Sequence, residues 1–281
     1  MSRHNKISII GQVKNNLDEK LKIGYSKHID KKLGISNNYI YSWSTYKTYL
    51  KHCCYFVKWC KLNYKCKTLD DCKPYINEYL KTRFHLSAYT IKLEACSLAK
   101  LYNCSSNDFI DTPKRIRANI KRSRGYAKRD DLFSEDIHKD FIQFCKSTGL
   151  RRKEITSLKG NQLIFKNNNY YIGVIGKGGR YRELLVIGNV NLVVKLMNKA
   201  KNNKVFNSIS TNADIHSYRA DYCNSIYSMF ARDLKTLPKN EIYCCRNELA
   251  GVWYDKQAML IASHNLGHNR ISVIAEHYLR A

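Results

Sequence analysis

The chain has 281 residues, 44% of them hydrophobic, enough to bury an ordinary core in one large domain or two smaller ones, and two is the better reading. Lys and Arg number 49 against 23 Asp and Glu, a formal net charge of +26 that would repel itself without a polyanion, so nucleic acid is the expected partner. No apolar run approaches the ~20 residues of a spanning helix, and the N-terminal MSRHNKISIIGQ has no signal-peptide core, which predicts a soluble intracellular protein with no membrane contact.

Residues 1–36 mix charge with short apolar runs and leave two alternatives open, a flexible arm or a helix that docks on a neighbour. From Asn38, Tyr46, Leu50, Tyr55, Val57 and Trp59 recur mostly at helical steps, with Ser44 and Thr45 as candidate caps. Helices are predicted at about 74–84, where Pro74 suits a first turn, and at about 87–103, capped by Ser87. Residues 37–120 thus read as a small all-helical domain. The eleven cysteines are odd in number in a large chain without an export signal, so free thiols are expected. Cys54, Cys60, Cys66 and Cys72 fall six apart without the close pairs of a zinc site; no metal is predicted, and the thiols are read as fillers of helix faces.

Between Pro113 and Arg129 the chain carries Lys114, Arg115, Arg117, Lys121, Arg122, Arg124, Lys128 and Arg129 and no acidic residue. Residues 121–130 are the best linker, a basic strap suited to a DNA backbone. After Ser134 a helix is expected through Ile137, Phe141, Ile142 and Phe144, ending at the STG turn. A short helix follows, and then NQLIF, YYIGVIG and YRELLVI read as a three-stranded meander. From Val190 the pattern returns to helix.

Five features with chemical potential follow in order through this second region. In TGLRRKEITSL, Arg151 and Glu154 sit three apart at a helix start and share a face. In GKGGRYRE, glycines let a hairpin turn present Lys177; no Lys-Ser or Lys-Thr follows at P-loop spacing. In DIHSYRADYC, His216 and Arg219 share one helix face that Asp214 can cap, so imidazole and guanidinium can address one phosphate. SHNLGH places Gly267 before His268, and Tyr278 follows in AEHYLRA. Tyrosine occurs 21 times, so position alone does not single out Tyr278.

The order Arg, Lys, His-x-x-Arg, Leu-Gly-His, Tyr resembles the tyrosine recombinases, the phage integrases and Xer-type resolvases, over residues 134–281. The resemblance implies a mostly α fold with a small antiparallel β-meander. A helical core-binding domain would precede the linker, and an α+β catalytic domain would occupy 131–281. It implies that Arg151 and Arg219 clamp the phosphate, Lys177 protonates the leaving 5′-oxygen, His216 accepts the tyrosine's proton, His268 bonds the phosphate, Glu154 supports Arg151 and Tyr278 is the nucleophile. A 3′-phosphotyrosine would conserve the bond energy, so neither ATP, metal nor other cofactor is implied. The implied partners are double-stranded DNA, three further copies of the chain in a tetramer on paired sites, and an accessory DNA-bending protein. The implied setting is the nucleoid of a bacterium, phage or mobile element, with integration and excision as the leading role. Xer-like resolution, a type IB topoisomerase-like activity and a non-catalytic DNA-binding regulator are the alternatives.

Two departures stand out. Many relatives place the tyrosine nine residues after the histidine, whereas here it follows ten later. On one continuous helix ten residues rotate about 1000°, leaving the side chains some ~80° apart, so a turn near 269–272 is expected. Tyr243 and Tyr254 lie upstream of the Leu-Gly-His turn, and His264 lacks the Leu-Gly that marks His268. Many relatives also continue past the tyrosine with a segment that docks on the next protomer, a role that here would fall to the tyrosine segment, to residues 1–36, or to nothing.

With this charge, binding to duplex DNA should weaken about a thousandfold or more between about 50 and 200 mM salt, the response of a protein neutralising about six phosphates or more. Fluorescence anisotropy across a salt series checks it, and an affinity indifferent to salt would contradict the electrostatic reading.

Overall fold

The computed structural model describes residues 7–116, 133–176, 179–268 and 270–279. The chain divides into two compact units, Met1–Arg122 and Ser123–Ala281. Among the described residues no helix is long and apolar enough to cross a membrane.

The first unit is helical. Helix α1 (Ile9–Asp18) is capped by the Ser8 hydroxyl and buries Ile9, Val13 and Leu17, spaced four apart on one face. These side chains belong to the unit's core, so this part of residues 1–36 is a docked helix. A short α2 (Lys27–Lys32) follows, and α3 (Trp43–Tyr64) forms the spine against which α1 and α6 (Ala88–Leu101) pack. Ser42 caps α3 by accepting from the Thr45 amide, one turn before the expected caps Ser44 and Thr45, because the chain stays extended through Tyr39 and Ile40 pairs with Leu21.

The buried stripe of α3 is Tyr46, Cys53, Phe56, Val57 and Cys60, whereas Tyr55 is exposed. Of the expected stripe Tyr46 and Val57 are buried, and Cys53 and Cys60 complete the 3.6-residue period as the expected fillers of a helix face. Cys60, Cys66 and Cys72 are all buried in the same core. Residues 69–82 divide into α4 (Leu69–Cys72), a 3₁₀ turn containing Pro74, and α5 (Ile76–Thr82), and Ser87 caps α6 as expected.

The second unit opens with α7 (Lys139–Thr148), which Gly149 ends in the left-handed conformation. Ile137, expected within this helix, precedes it and is exposed. After α8 (Arg152–Ser157), strands β1 (Leu163–Lys166), β2 (Asn169–Ile175) and β3 (Tyr181–Leu185) form the antiparallel meander in the order β1-β2-β3. Helices α9 (Val190–Ala200) and α10 (Ile215–Phe230) come next. The region after Val190 is not wholly helical: β4 (Ile242–Cys244) and β5 (Trp253–Asp255) pair as a hairpin before α11 (Lys256–Leu266) and α12 (Ser272–His277). Three-residue strands are too short to show alternation in sequence.

Helix α10 joins two cores. Ile215 and Tyr218 pack with Phe144, Leu150, Ile172 and Leu184, while Tyr222, Cys223 and Ile226 pack with Met259, Leu266, Ile274 and Leu279. The α7 and α11 helices both contact α10, and Arg219 of α10 bonds the carbonyls of Gly149 and Leu266 at their C-terminal ends.

Gly149 is needed at this junction. Its φ is 57°, and a Cβ there would overlap the ring of fully buried Tyr222. Gly149→Ala should cost roughly 2–4 kcal/mol from backbone strain and overpacking together. Urea denaturation measures it, and a variant as stable as the parent would show that the junction relaxes freely.

Candidate active site

Arg219 lies on α10, whose N-terminus is capped by Asp214 accepting from the Ser217 amide. Arg219 is 2% exposed, and among the described residues the partners of its guanidinium are carbonyls, a phenol and an imidazole, with no carboxylate. Nη1 donates to the carbonyl of Gly149 and Nη2 to that of Leu266. These carbonyls close the C-terminal ends of α7 and α11, so two helix dipoles point their negative ends at one buried cation. Burial pushes the Arg219 pKa down, yet arginine starts so high that the group stays charged.

The third guanidinium nitrogen reaches Tyr278. Arg219 Nε donates to Tyr278 Oη at 3.3 Å, and His268 Nε2 lies 3.2 Å from the same oxygen. The phenol oxygen thus accepts from arginine, and in the His268 tautomer that leaves Nε2 unprotonated its single proton can be donated to the imidazole. Burial, followed by the charges of Arg219, Arg151 and Arg182, lowers the His268 pKa to about 4, so the ring is neutral at neutral pH. His216 contributes a ring edge-on to the phenol, with centroids 5.5 Å apart.

The ten-residue step from His268 to Tyr278 is met by a break. Helix α11 stops at Gly267, with φ 67°, and α12 starts at Ser272. His268 is fixed by its amide donating to Ser263 O, and the Tyr278 carbonyl accepts from Asn224 Nδ2 at 2.9 Å. Tyr278 and Leu279 are both buried in the second core.

Arg151 is bound to Glu154 twice, through its backbone amide at 2.8 Å and through Nη1 at 2.9 Å. Glu154 also receives both terminal nitrogens of Arg182, each at 2.9 Å. Burial alone would push the Glu154 carboxyl up, but Arg182 and then Arg151 outweigh it and hold the group at about 2. A cleft of about 810 Å³ opens beside these groups, lined by Arg151, Arg180, Arg182, His264, His268 and Arg270 among others, with no carboxylate in its wall among the described residues.

Six of the seven singled-out catalytic and supporting residues, Arg151, Glu154, His216, Arg219, His268 and Tyr278, are therefore carried by the second unit around one phenol and one cleft. Lys177 falls between β2 and β3 in the sequence and lies outside the described residues. The linker 121–130 and the basic residues Arg117, Lys121, Arg122, Arg124, Lys128 and Arg129 also lie outside them. Lys114 and Arg115 are exposed, with Arg115 over the Tyr89 ring at 5.4 Å. Among the described residues no cluster of His, Cys, Asp or Glu could hold a metal ion.

Arg182 was not singled out in the sequence. Its signal was the alternation in YRELL: Leu184 is buried, so Arg182, two residues earlier, faces inward too, and an inward arginine requires a buried acid.

No family model and no curated protein matches the sequence. Among solved structures, the XerH site-specific recombinase bound to palindromic difH substrate, a post-cleavage complex, aligns with a TM-score of 0.54 at 14% identity, covering 99% of this chain and 95% of that one. The pre-cleavage complex of XerH with difH aligns with a TM-score of 0.51 at 15% identity, covering 97% and 92%. The chain has the tyrosine recombinase fold. It is the mostly α architecture with a small antiparallel meander that the residue order implied. Within that fold, Arg219, His268 and Tyr278 meet at the junction of α10, α11 and α12.

The acid response follows from Glu154 and His268. Both have folded pKa values below their usual ones, so the unfolded chain binds protons first and stability falls as pH drops. The His268 contribution is lost from about pH 6.5 toward 4, and that of Glu154 from about pH 4.5 toward 2. Glu154→Gln should flatten the lower part of this decline, measured as denaturation midpoint against pH. An unchanged acid limb would show that Glu154 is not held by its arginines.

Proposed function

We propose that this chain is a site-specific DNA recombinase that cleaves and rejoins duplex DNA through a covalent 3′-phosphotyrosyl intermediate on Tyr278. The observation that carries the reading is the Tyr278 hydroxyl held between a buried, permanently charged Arg219 and a neutral His268.

In this reading a phosphodiester enters the cleft lined by Arg151 and His268, and the charge on its non-bridging oxygens in the transition state is offset by Arg151 and by the buried cation of Arg219 behind His268. The phenol proton passes to His268 Nε2, the Tyr278 oxygen forms a bond to phosphorus, and the bond from phosphorus to the 5′-oxygen breaks. Lys177, on the turn after β2, is assigned as the acid that protonates that 5′-oxygen. The resemblance gave proton acceptance to His216 and phosphate binding to His268; acceptance is here assigned to His268, whose neutral ring has Nε2 within 3.2 Å of the phenol oxygen, while the His216 ring stands edge-on to the phenol. Attack by the 5′-hydroxyl of a second strand reverses these steps and joins new partners, with no net change in phosphodiester bonds.

The XerH structures are complexes with its difH substrate before and after cleavage. By analogy, the helical unit and the basic stretch 114–129 are assigned to hold duplex DNA, with 37–120 as core-binding domain, 121–130 as linker and 131–281 as catalytic domain. Four protomers on two sites, an accessory bending protein, and integration or excision of a mobile element complete the proposed setting.

A nicked suicide substrate carrying the recombination site tests the chemistry. Unmodified protein should accumulate a covalent adduct, and Tyr278→Phe should form none while binding the same DNA within about twofold. Absence of an adduct from unmodified protein would leave a DNA-binding regulator. Relaxation of supercoils without exchange between paired sites would assign a topoisomerase-like activity instead.

A further inference from the structure

We infer that Arg182 is a positioning residue of the active site, a guanidinium strut that sets Arg151 and His268 relative to each other without itself touching the phosphorus; this rests on the recombinase reading above.

Three separate contacts support it. Two nitrogens of Arg182 engage both oxygens of Glu154, and Glu154 in turn holds the amide and Nη1 of Arg151. The Arg182 Nε donates to the Asn265 carbonyl at 2.9 Å, at the end of the helix whose following turn carries His268. A Cβ on Gly267 would come within 3.0–3.1 Å of the Arg182 side chain, so the turn lies directly on the guanidinium stem. The Asn265 side chain closes the frame by accepting from the Leu185 amide at 2.7 Å, on the same strand as Arg182.

One side chain on β3 therefore ties together the start of α8 and the end of α11. A single planar fork suits the task, because two parallel bonds to a carboxylate define both distance and direction. Its side chain is 10% exposed against 26% for Arg151, so Arg151 is left open to the cleft while Arg182 is committed to the frame. With the strut removed, Glu154 would keep only Arg151, and the segment leading into the Leu-Gly-His turn would be tied to β3 by the Asn265–Leu185 bond alone. Misplacement by about 1 Å is enough to cost on the order of 100-fold in rate.

The test compares Arg182→Lys and Arg182→Gln in the full chain. Lysine keeps the charge and can reach one Glu154 oxygen, but cannot bridge both oxygens and Asn265. The expected result is a single-turnover cleavage rate about 10-fold lower for lysine and about 100-fold lower for glutamine, with duplex affinity within about twofold of the parent. Orthovanadate binding, followed by intrinsic fluorescence without DNA, should weaken about 10-fold in Arg182→Gln, reading the cation set independently of turnover. If the parent forms no adduct but vanadate affinity still depends on Arg182, the recombinase reading fails and the strut stands. Parental cleavage and vanadate affinity in Arg182→Lys, or losses in both variants that only follow a fall in melting temperature and duplex affinity, would overturn it.

Discussion

The second unit is organised around a buried cation. An arginine with almost no exposure is costly unless its nitrogens are hydrogen-bonded, and each nitrogen of Arg219 has a partner without a carboxylate: the carbonyls ending α7 and α11 take two and the Tyr278 hydroxyl takes the third. A carboxylate partner would neutralise the charge that a phosphodiester needs to meet. Carbonyl dipoles satisfy the hydrogen bonds while leaving the positive charge in place. The same geometry explains why Gly149 must turn left-handed over Tyr222 and why α11 must end at Gly267: each places a helix-terminal carbonyl against α10.

A division of labour among the arginines follows. Arg219 is charged and buried with neutral partners, Arg151 is shared between Glu154 and the open cleft, and Arg182 is spent wholly on the frame. Glu154 is the one acid in this set, and two guanidiniums divide its charge, so the balance at the cleft stays positive. That surplus also keeps His268 neutral, because a proton on its ring would add a further positive charge beside Arg219 and Arg151.

Much of this was legible in the sequence because the residues recur at fixed steps. His216 and Arg219 share a helical face three residues apart, Gly267 announces the turn before His268, and the ten-residue step to Tyr278 required the break found between Leu266 and Ser272. What was not legible depends on partners distant in sequence. The pairing of Arg182 with Glu154 spans 28 positions, and the approach of the phenol to Arg219 across 59 depends on Tyr278 being buried in the second core. In the first unit the thiols fill the α3 face as read from the sequence, whereas the β4–β5 hairpin is too short to leave a periodic trace.

The central claim is that the phenol held by Arg219 and His268 becomes covalently bonded to DNA through phosphorus. Protease digestion of the adduct trapped on a suicide substrate, followed by mass spectrometry, tests it most directly. The nucleotide should be found on the peptide spanning 271–280, attached at Tyr278 through a 3′-phosphate, with a free 5′-hydroxyl on the released strand. Attachment at any other residue, or through a 5′-phosphate, would contradict it.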